Sequence, residues 1–325
     1  MAEYKSINGF TLQDVATDPT INTGQVWYNS ATRAFKLHAA TAAGAWATAN
    51  NMGTARYGLA GAGTQTAGLA FAGNSGGVTN ATEEYDGSAW TGGGNMGASK
   101  YYAGGTGTQT AGLSIGGYGT PNGRSTEEYD GSAWTAGGDT TKGRFDMGAA
   151  GTQTAGLIAG GDAGQFSSPS YYNGTEEYNG TAWADGGDLG TGRKTLGGFG
   201  TQTAALVFVG NIPAATAISE HYDGTSWTAG GNYPAATSGA KGAGTQTAGL
   251  ATGAGPGSTA SNLYDGTSWS ATTATSTSYK QHAMGGLSPS SASIVFGGGN
   301  APARLNATEE FTGAGAPLVQ TITTS

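Results

Sequence analysis

Cysteine is absent from the 325-residue chain, which excludes disulfide staples, thiolate nucleophiles and sulfur ligands for a metal. Charge is scarce as well. Only 10% of positions are Asp, Glu, Lys or Arg, and the formal net charge is −8. The 13 Lys and Arg are scattered, with only Arg193-Lys194 adjacent, whereas a phosphate backbone is held by clustered cations, so nucleic acid is not expected as a partner. No apolar run approaches the ~20 residues of a membrane-spanning helix, so membrane insertion is not expected. The only histidines are His38, His221 and His282. They fall in the N-terminal segment or in different repeats, and no metal or other cofactor is expected. Long stretches of helical periodicity are missing too.

Glycine, by contrast, is abundant at 62 residues, but without the three-residue period of collagen. Seven Trp and 15 Tyr recur at regular places and can supply the core that a disordered chain lacks. Short stretches of Thr, Tyr, Trp, Val and Ile are cut by Gly clusters, the pattern of an all-β protein.

Internal repetition organises these stretches. Gly-Thr-Gln-Thr-Ala-Gly-Leu begins at Gly63, Gly107, Gly151 and Gly244, and at Gly200 with Ala205 in place of the second Gly; a worn sixth copy runs from Ser288 to Ile294. Successive offsets are 44, 44, 49, 44 and 44 residues. A second landmark, Tyr85-Asp-Gly-Ser-Ala-Trp90, returns as Tyr129 to Trp134, Tyr178 to Trp183, Tyr222 to Trp227 and Tyr264 to Trp269. The sixth copy has Phe311-Thr-Gly-Ala-Gly and no Trp; the missing Trp lies at the other end, as Trp46, 44 residues before Trp90.

Each unit supplies four short strands. The first follows a basic residue and is Gly-rich, with Gly61, Gly105, Gly198, Gly242 and Gly286 in one column. Gly within a strand costs about 0.5–1 kcal/mol, and crowding of inner strands at a propeller axis gives the reason for it. The second runs from Leu69 to Gly73, the third from Thr82 to Tyr85, and the fourth carries the Trp. Asp-Gly between the last two is a tight-hairpin signal. Blade six has three strands at the C-terminus and borrows its fourth, with Trp46, from the N-terminal side, so that Trp46 and Phe311 close the ring and no edge is left unpaired. The expected fold is a six-bladed, all-β propeller with four antiparallel strands per blade. The chain divides into an N-terminal arm (1–40), the propeller (41–315) and a C-terminal tail (316–325).

Over residues 46–311 the repeat resembles that of kelch propellers, which combine a Met-x-x-x-Arg approach, a di-Gly ending the second strand and a Tyr-Asp…Trp pair. Here these are Met52 and Arg56, Gly116-Gly117 or Gly160-Gly161, and Tyr129-Asp130 with Trp134. It departs from that pattern at Asn74 and Ala254, and blades five and six lose the Arg. The resemblance implies that the Thr-Gln-Thr and Asp-Gly turns share one face, while the second-to-third and blade-crossing loops share the other. The first set is nearly invariant from blade to blade. The second set varies, at 74–81, 118–125, 162–174, 211–219 and 255–262, and variation on one face of a rigid scaffold suggests recognition.

The longest variable loop, in blade three, carries Phe166, Tyr171 and Tyr172 among Ser, Asn and Gln. Such rings either pack inward as a cap or present flat apolar surface to a sugar. Arg56, Lys100, Arg144 and Arg193 form a column at the start of the inner strands, either as a ring at the channel mouth able to hold an anion, or as partners of blade carboxylates and carbonyls. The doublets Glu83-Glu84, Glu127-Glu128, Glu176-Glu177 and Glu309-Glu310 cannot converge on one substrate, because adjacent strand residues point to opposite faces. The Asp–Gly–Trp spacing is one residue narrower than a sialidase Asp-box, and the Cys–Tyr copper site of galactose-oxidase-like propellers has no Cys here. No enzyme constellation emerges.

The segment Gly24 to His38 reads as a hairpin turning near Ser30 to Arg33, and resembles short hairpins near the N-termini of bacteriophage fibre and virion-surface proteins. Residues 1–9 lack an apolar run and are not expected to be a signal peptide. A Gly, Ser, Thr and Asn-rich body made in the host cytoplasm and released by lysis fits a virion-surface protein. The expectation is a non-enzymatic tail-fibre or decoration protein, attached to other virion proteins through its arm and displaying the variable loops to a host-surface glycan or protein. A bacterial adhesion or scaffold propeller is the alternative, and a polysaccharide-acting enzyme ranks third. A fibre is ordinarily a homo-oligomer, though no heptads specify one.

Overall fold

A computed structural model describes residues 13–15, 26–40, 44–166, 169–253, 255, 257–300, 303–313 and 317–322. Residues 1–9 and Ala254, singled out above, lie outside the described residues. The chain forms two compact units, Trp46–Phe311 and Met1–Ala45 with Thr312–Ser325.

The larger unit is a six-bladed β-propeller, each blade one four-stranded sheet. Blade one consists of Ala60–Thr64, Ala67–Phe71, Thr82–Tyr85 and Trp90–Gly92, each paired antiparallel with the next. Blade six orders Ala283–Met284, Ala292–Phe296 and Thr308–Thr312, then takes Ala45–Ala49 as its outermost strand. The ring is thus closed by a strand from the N-terminal side.

Local chemistry sets the turns. Asp86 Oδ1 accepts from the Ser88 and Ala89 amides at 2.8 and 2.7 Å, while Gly87 takes φ 90°, a conformation that costs Gly little. At the axis, a Cβ on Gly105 would lie 2.7 Å from the Gly61 carbonyl oxygen, and one on Gly61 2.7 Å from that of Met284. Crowding therefore explains the inner glycines, with one correction. Gly286 meets nothing within 4 Å. Ala283 pairs with Phe296 as Lys241 pairs with Thr252; nine positions then separate Ala283 from Ala292, against seven from Lys241 to Ala248. The two extra residues shift the register, and Met284 takes the column position that constant spacing assigns to Gly286.

Three side-chain columns stitch each blade to the one before it. The indole Nε1 of Trp90, Trp134, Trp183, Trp227 and Trp269 donates to Thr308, Thr82, Thr126, Thr175 and Ser219 respectively, at 2.9–3.2 Å. Trp46 completes the set, donating to Ser261 at 3.1 Å and packing 5.0 Å from Phe311. The Tyr hydroxyls donate to the second Glu of each doublet: Tyr85 to Glu310 at 2.7 Å, Tyr178 to Glu128 at 2.5 Å, Tyr222 to Glu177 at 2.6 Å, and Tyr129 to Glu84. In the invariant turns, Gln109, Gln153, Gln202 and Gln246 each donate to two carbonyls of the preceding blade, and Gln65 reaches Phe311 O across the closure at 3.1 Å. Each such bond contributes about 1 kcal/mol net, but they recur around the whole ring.

The smaller unit is a sheet ordered Gln13–Val15, Val26–Asn29, Ala34–Ala40, Pro317–Ile322. Asn29 Oδ1 accepts from the Thr32 amide at 2.9 Å, and Trp27 is fully buried. The segment read as a C-terminal tail (316–325) supplies a strand here, with Ile322 opposite Phe35 and Pro317 opposite Ala40. Its run Leu318-Val-Gln-Thr-Ile322 has the β-branched content of a strand.

Replacing Trp46 by Ala should cost about 3 kcal/mol through lost packing and the orphaned Ser261 hydroxyl, and the mid-chain Trp134→Ala should cost about the same. Denaturant unfolding of both variants checks this. A near-neutral Trp46→Ala beside a costly Trp134→Ala would contradict closure by this strand.

Candidate functional site

The recurring cations lie inside the blades. Arg56 Nη2 is 2.9 Å from Glu83 Oε1 and Lys100 Nζ 3.2 Å from Glu127 Oε1, while Arg144 pairs with Glu176 and Arg193 with Glu220. All four cations are fully buried. Arg56 also donates to the carbonyls of Ala72 and Ala81. The second oxygen of each carboxylate accepts a backbone amide, from Gly53, Gly97, Thr141 and Gly190, at 2.5–2.7 Å. None of these cations lines the axial cavities, so they form no anion-holding ring there. A buried cation is tolerable only beside a carboxylate; the first Glu of a doublet supplies it for Arg56, Lys100 and Arg144, and Glu220, followed by His221, supplies it for Arg193. The doublets thus work in two directions, the first residue inward to its own blade and the second outward to the next.

The channel mouth is built by the residue two places after each cation position. Gly58, Tyr102, Asp146, Thr195, Gly239 and Gln281 all have φ between 52° and 78°. Their backbones join head to tail: Tyr102 N–H donates to Gly58 O, Asp146 to Tyr102, Thr195 to Asp146, Gly239 to Thr195 and Gly58 to Gln281, at 2.7–3.0 Å. Positive φ is strained for Thr above all, and the backbone bonds on either side, from Thr195 to Asp146 and from Gly239 to Thr195, hold it. The six residues line a small space of about 10 Å³.

Beneath it a cavity of about 60 Å³ follows the axis. Lys241 and His282 line both spaces, and Asp146 the upper one. Lys241 Nζ donates to Leu196 O at 3.4 Å. Burial raises the Asp146 carboxyl to about 6, against the opposing pull of Lys241. Burial, aided by Lys241, lowers the His282 imidazole to about 3. Its Nε2 lies 3.0 Å from Thr252 Oγ1. Among the described residues no three His, Asp or Glu converge as a metal cluster would.

The variable face carries an arc of half-buried rings over blades one to three. Tyr57 and Tyr101 lie 6.4 Å apart, Tyr101 and Tyr118 5.2 Å, Tyr118 and Phe145 5.5 Å, and Phe145 and Phe166 6.3 Å. At Phe166 the arc meets an open cleft of about 660 Å³, also lined by Tyr172, Arg124, Lys142, Gln165 and Asp185. Of the three rings singled out in the blade-three loop, Phe166 and Tyr172 line this cleft and Tyr171 does not. The Tyr172 ring packs over the Arg144 guanidinium at 5.0 Å and beside the Lys142 ammonium at 4.6 Å, and Tyr171 lies 5.3 Å from the Lys194 ammonium. These rings are therefore part cap and part surface.

Several of these residues escaped the sequence. The arc had a signal, because Tyr57, Tyr101 and Phe145 each follow a buried cation. Lys241 stands where Ala60, Gly104, Gly148 and Gly197 stand, and His282 where Leu59, Met147 and Leu196 stand. A polar residue in an apolar or small column marks both, once the register is known.

His282 should make the fold acid-sensitive. Its ordinary value is about 6.5, so between pH 6.5 and 3 the unfolded chain binds more protons, and stability present above pH 6.5 is lost as pH falls. Asp146, raised by burial, acts in the opposite sense, gaining stability as pH falls through 6. The difference between wild type and His282→Leu isolates the imidazole. From pH 7 to pH 5, wild type should lose about 2 kcal/mol relative to the variant in denaturant titrations, and parallel profiles would contradict a buried neutral His282.

Comparison with known proteins finds no matching family model and no matching curated protein. The propeller, with its kelch-like repeat, is identified by its sheet order and residue columns.

Proposed function

We propose that this protein is a non-enzymatic virion-surface component, a tail-fibre or decoration protein, whose variable loop face binds a host-surface glycan or protein. The observation that carries this is the unequal use of the two faces. One face spends its side chains on structure, the Gln turns bonding to the preceding blade and the Asp-Gly hairpins bonding within themselves. The other carries the aromatic arc and the open cleft, concentrated on blades one to three. The chain also enters the propeller at Ala45 and leaves it after Phe311 on the stitched side, where Gln65 holds Phe311 O. That polarity suits a module anchored at its base, with its loops outward. The resemblance of residues 24–38 to phage fibre hairpins supports the virion setting and makes the arm the attachment segment.

Mass spectrometry of density-purified extracellular particles should find this chain at constant ratio to a capsid protein. Particles carrying Phe166→Ala, Tyr171→Ala and Tyr172→Ala together should adsorb to host cells less, in a chain that still folds although its melting temperature falls with the lost packing over Gly123 and Arg144. Recovery only in cell-envelope fractions would contradict the virion reading, and unaltered adsorption would remove this loop from recognition.

A further inference from the structure

We infer that the cleft between blades two and three is a site for a carboxylated sugar, with Arg124 and Lys142 holding the carboxylate and Phe166 facing the ring. This rests on the loop face being the recognition face, and names its ligand class.

Charge is the first reason. Among the described residues, Arg56, Lys100, Arg144, Arg193 and Lys194 are committed to carboxylates. Arg124 and Lys142 belong to none of these ion pairs, yet both line one concavity of a chain whose net charge is −8. Arg124 uses Nε to donate to Thr140 O at 2.5 Å, which leaves the terminal nitrogens of its fork to present toward the cleft. Lys142 rests its ammonium on the Tyr172 ring at 4.6 Å, a contact that leaves its N–H groups available to an acceptor. The one carboxylate in the wall, Asp185, already accepts from the Thr141 hydroxyl at 3.2 Å. A guanidinium fork and an ammonium on one wall match a carboxylate in charge and geometry. A neutral ligand would have no use for them.

The shape of the site is the second reason. Phe166 is seated in space that Gly123 leaves empty: a Cβ there would lie 2.2 Å from the ring. Phe145 meets it edge-on at 6.3 Å. An anchored aromatic surface with Gln165 and Asn122 at the rim offers an apolar platform and hydrogen-bond partners together, the two things a pyranose presents in complement. The volume of about 660 Å³ falls within the ~300–1,000 Å³ of small-molecule sites.

The test is calorimetry on the full chain with two matched pairs of probes, trigalacturonate against its methyl ester and 3′-sialyllactose against its methyl ester. At least one acid should bind about tenfold or more tightly than its neutral counterpart, and more weakly as salt rises from about 50 to about 300 mM. The acid that binds separates a uronate from a sialate ligand. Arg124→Gln with Lys142→Gln should abolish the preference in a chain that still unfolds cooperatively, its melting temperature lowered only by loss of the Thr140 bond, and Lys142→Gln alone, which breaks no hydrogen bond among the described residues, should reduce it. Equal binding of acid and neutral probe, no binding of either acid, or an undiminished preference in the double variant would overturn the site. Failure here with adsorption still lost in the aromatic variant would leave the loop-face reading standing; intact adsorption in that variant would sink the latter separately.

Discussion

The hydrogen bond from each outer-strand Trp to a Thr or Ser of the preceding blade is the contact on which the rest of the propeller depends. A blade of about 17 paired residues with a Gly-rich inner strand has too little apolar surface to stand alone. It gains a core only by laying its Tyr and Trp against its neighbour, and the indole donor fixes where that neighbour sits. Because Trp46 makes the same bond to Ser261 that Trp134 makes to Thr82, the last blade is held as the middle ones are. No pair of sheet edges is left at a seam.

Where one member of a stitch changes, its partner changes too. Four Tyr–Glu contacts join successive blades, but His221 replaces Glu in blade four, where its Nε2 lies 2.6 Å from the Tyr264 hydroxyl. Leu263 replaces it in blade five, where the facing residue is Phe311, and the two pack in one apolar cluster. The buried ion pair gives way in the same manner: blade five has Asn262 for Glu and pairs it with the Tyr233 hydroxyl at 2.8 Å. A lone buried carboxylate would cost more than the bond was worth; in blade six, where Tyr279 stands at the cation position, Glu309 instead accepts from the Ser276 and Thr277 amides. With one face committed in this way, sequence freedom is left to the other, where rings, cations and the cleft collect on blades one to three.

Much of the fold was legible because its signals repeat. Trp46 and Phe311 announced the closure by their spacing, and the Asp-Gly pairs announced the hairpins. Gly286 misled for the opposite reason, since a two-residue insertion in one turn breaks the constant beat without altering composition. The site was harder to read. Phe166 and Tyr172 stood out in the longest loop, yet the cleft needs Arg124 from blade two and Lys142 from the crossing into blade three, a juxtaposition that only blade packing creates. Arg56 and its equivalents, recurring in register, allowed either a ring or pairing with blade carboxylates; the direction of their side chains depends on where the blade's Glu lands. His282 and Lys241 were hidden because their meaning lies in what the other five blades have instead.

Native-state hydrogen exchange on the outer strand Ala45–Ala49 addresses the closure most directly. If that strand is an integral part of blade six, its hydrogen-bonded amides should exchange with the same opening free energy as those of Trp134–Ala136, the equivalent strand in mid-chain. Exchange of Ala45–Ala49 through a separate, lower-energy opening, while Trp134–Ala136 stays protected, would show a ring not held shut by its own N-terminal side.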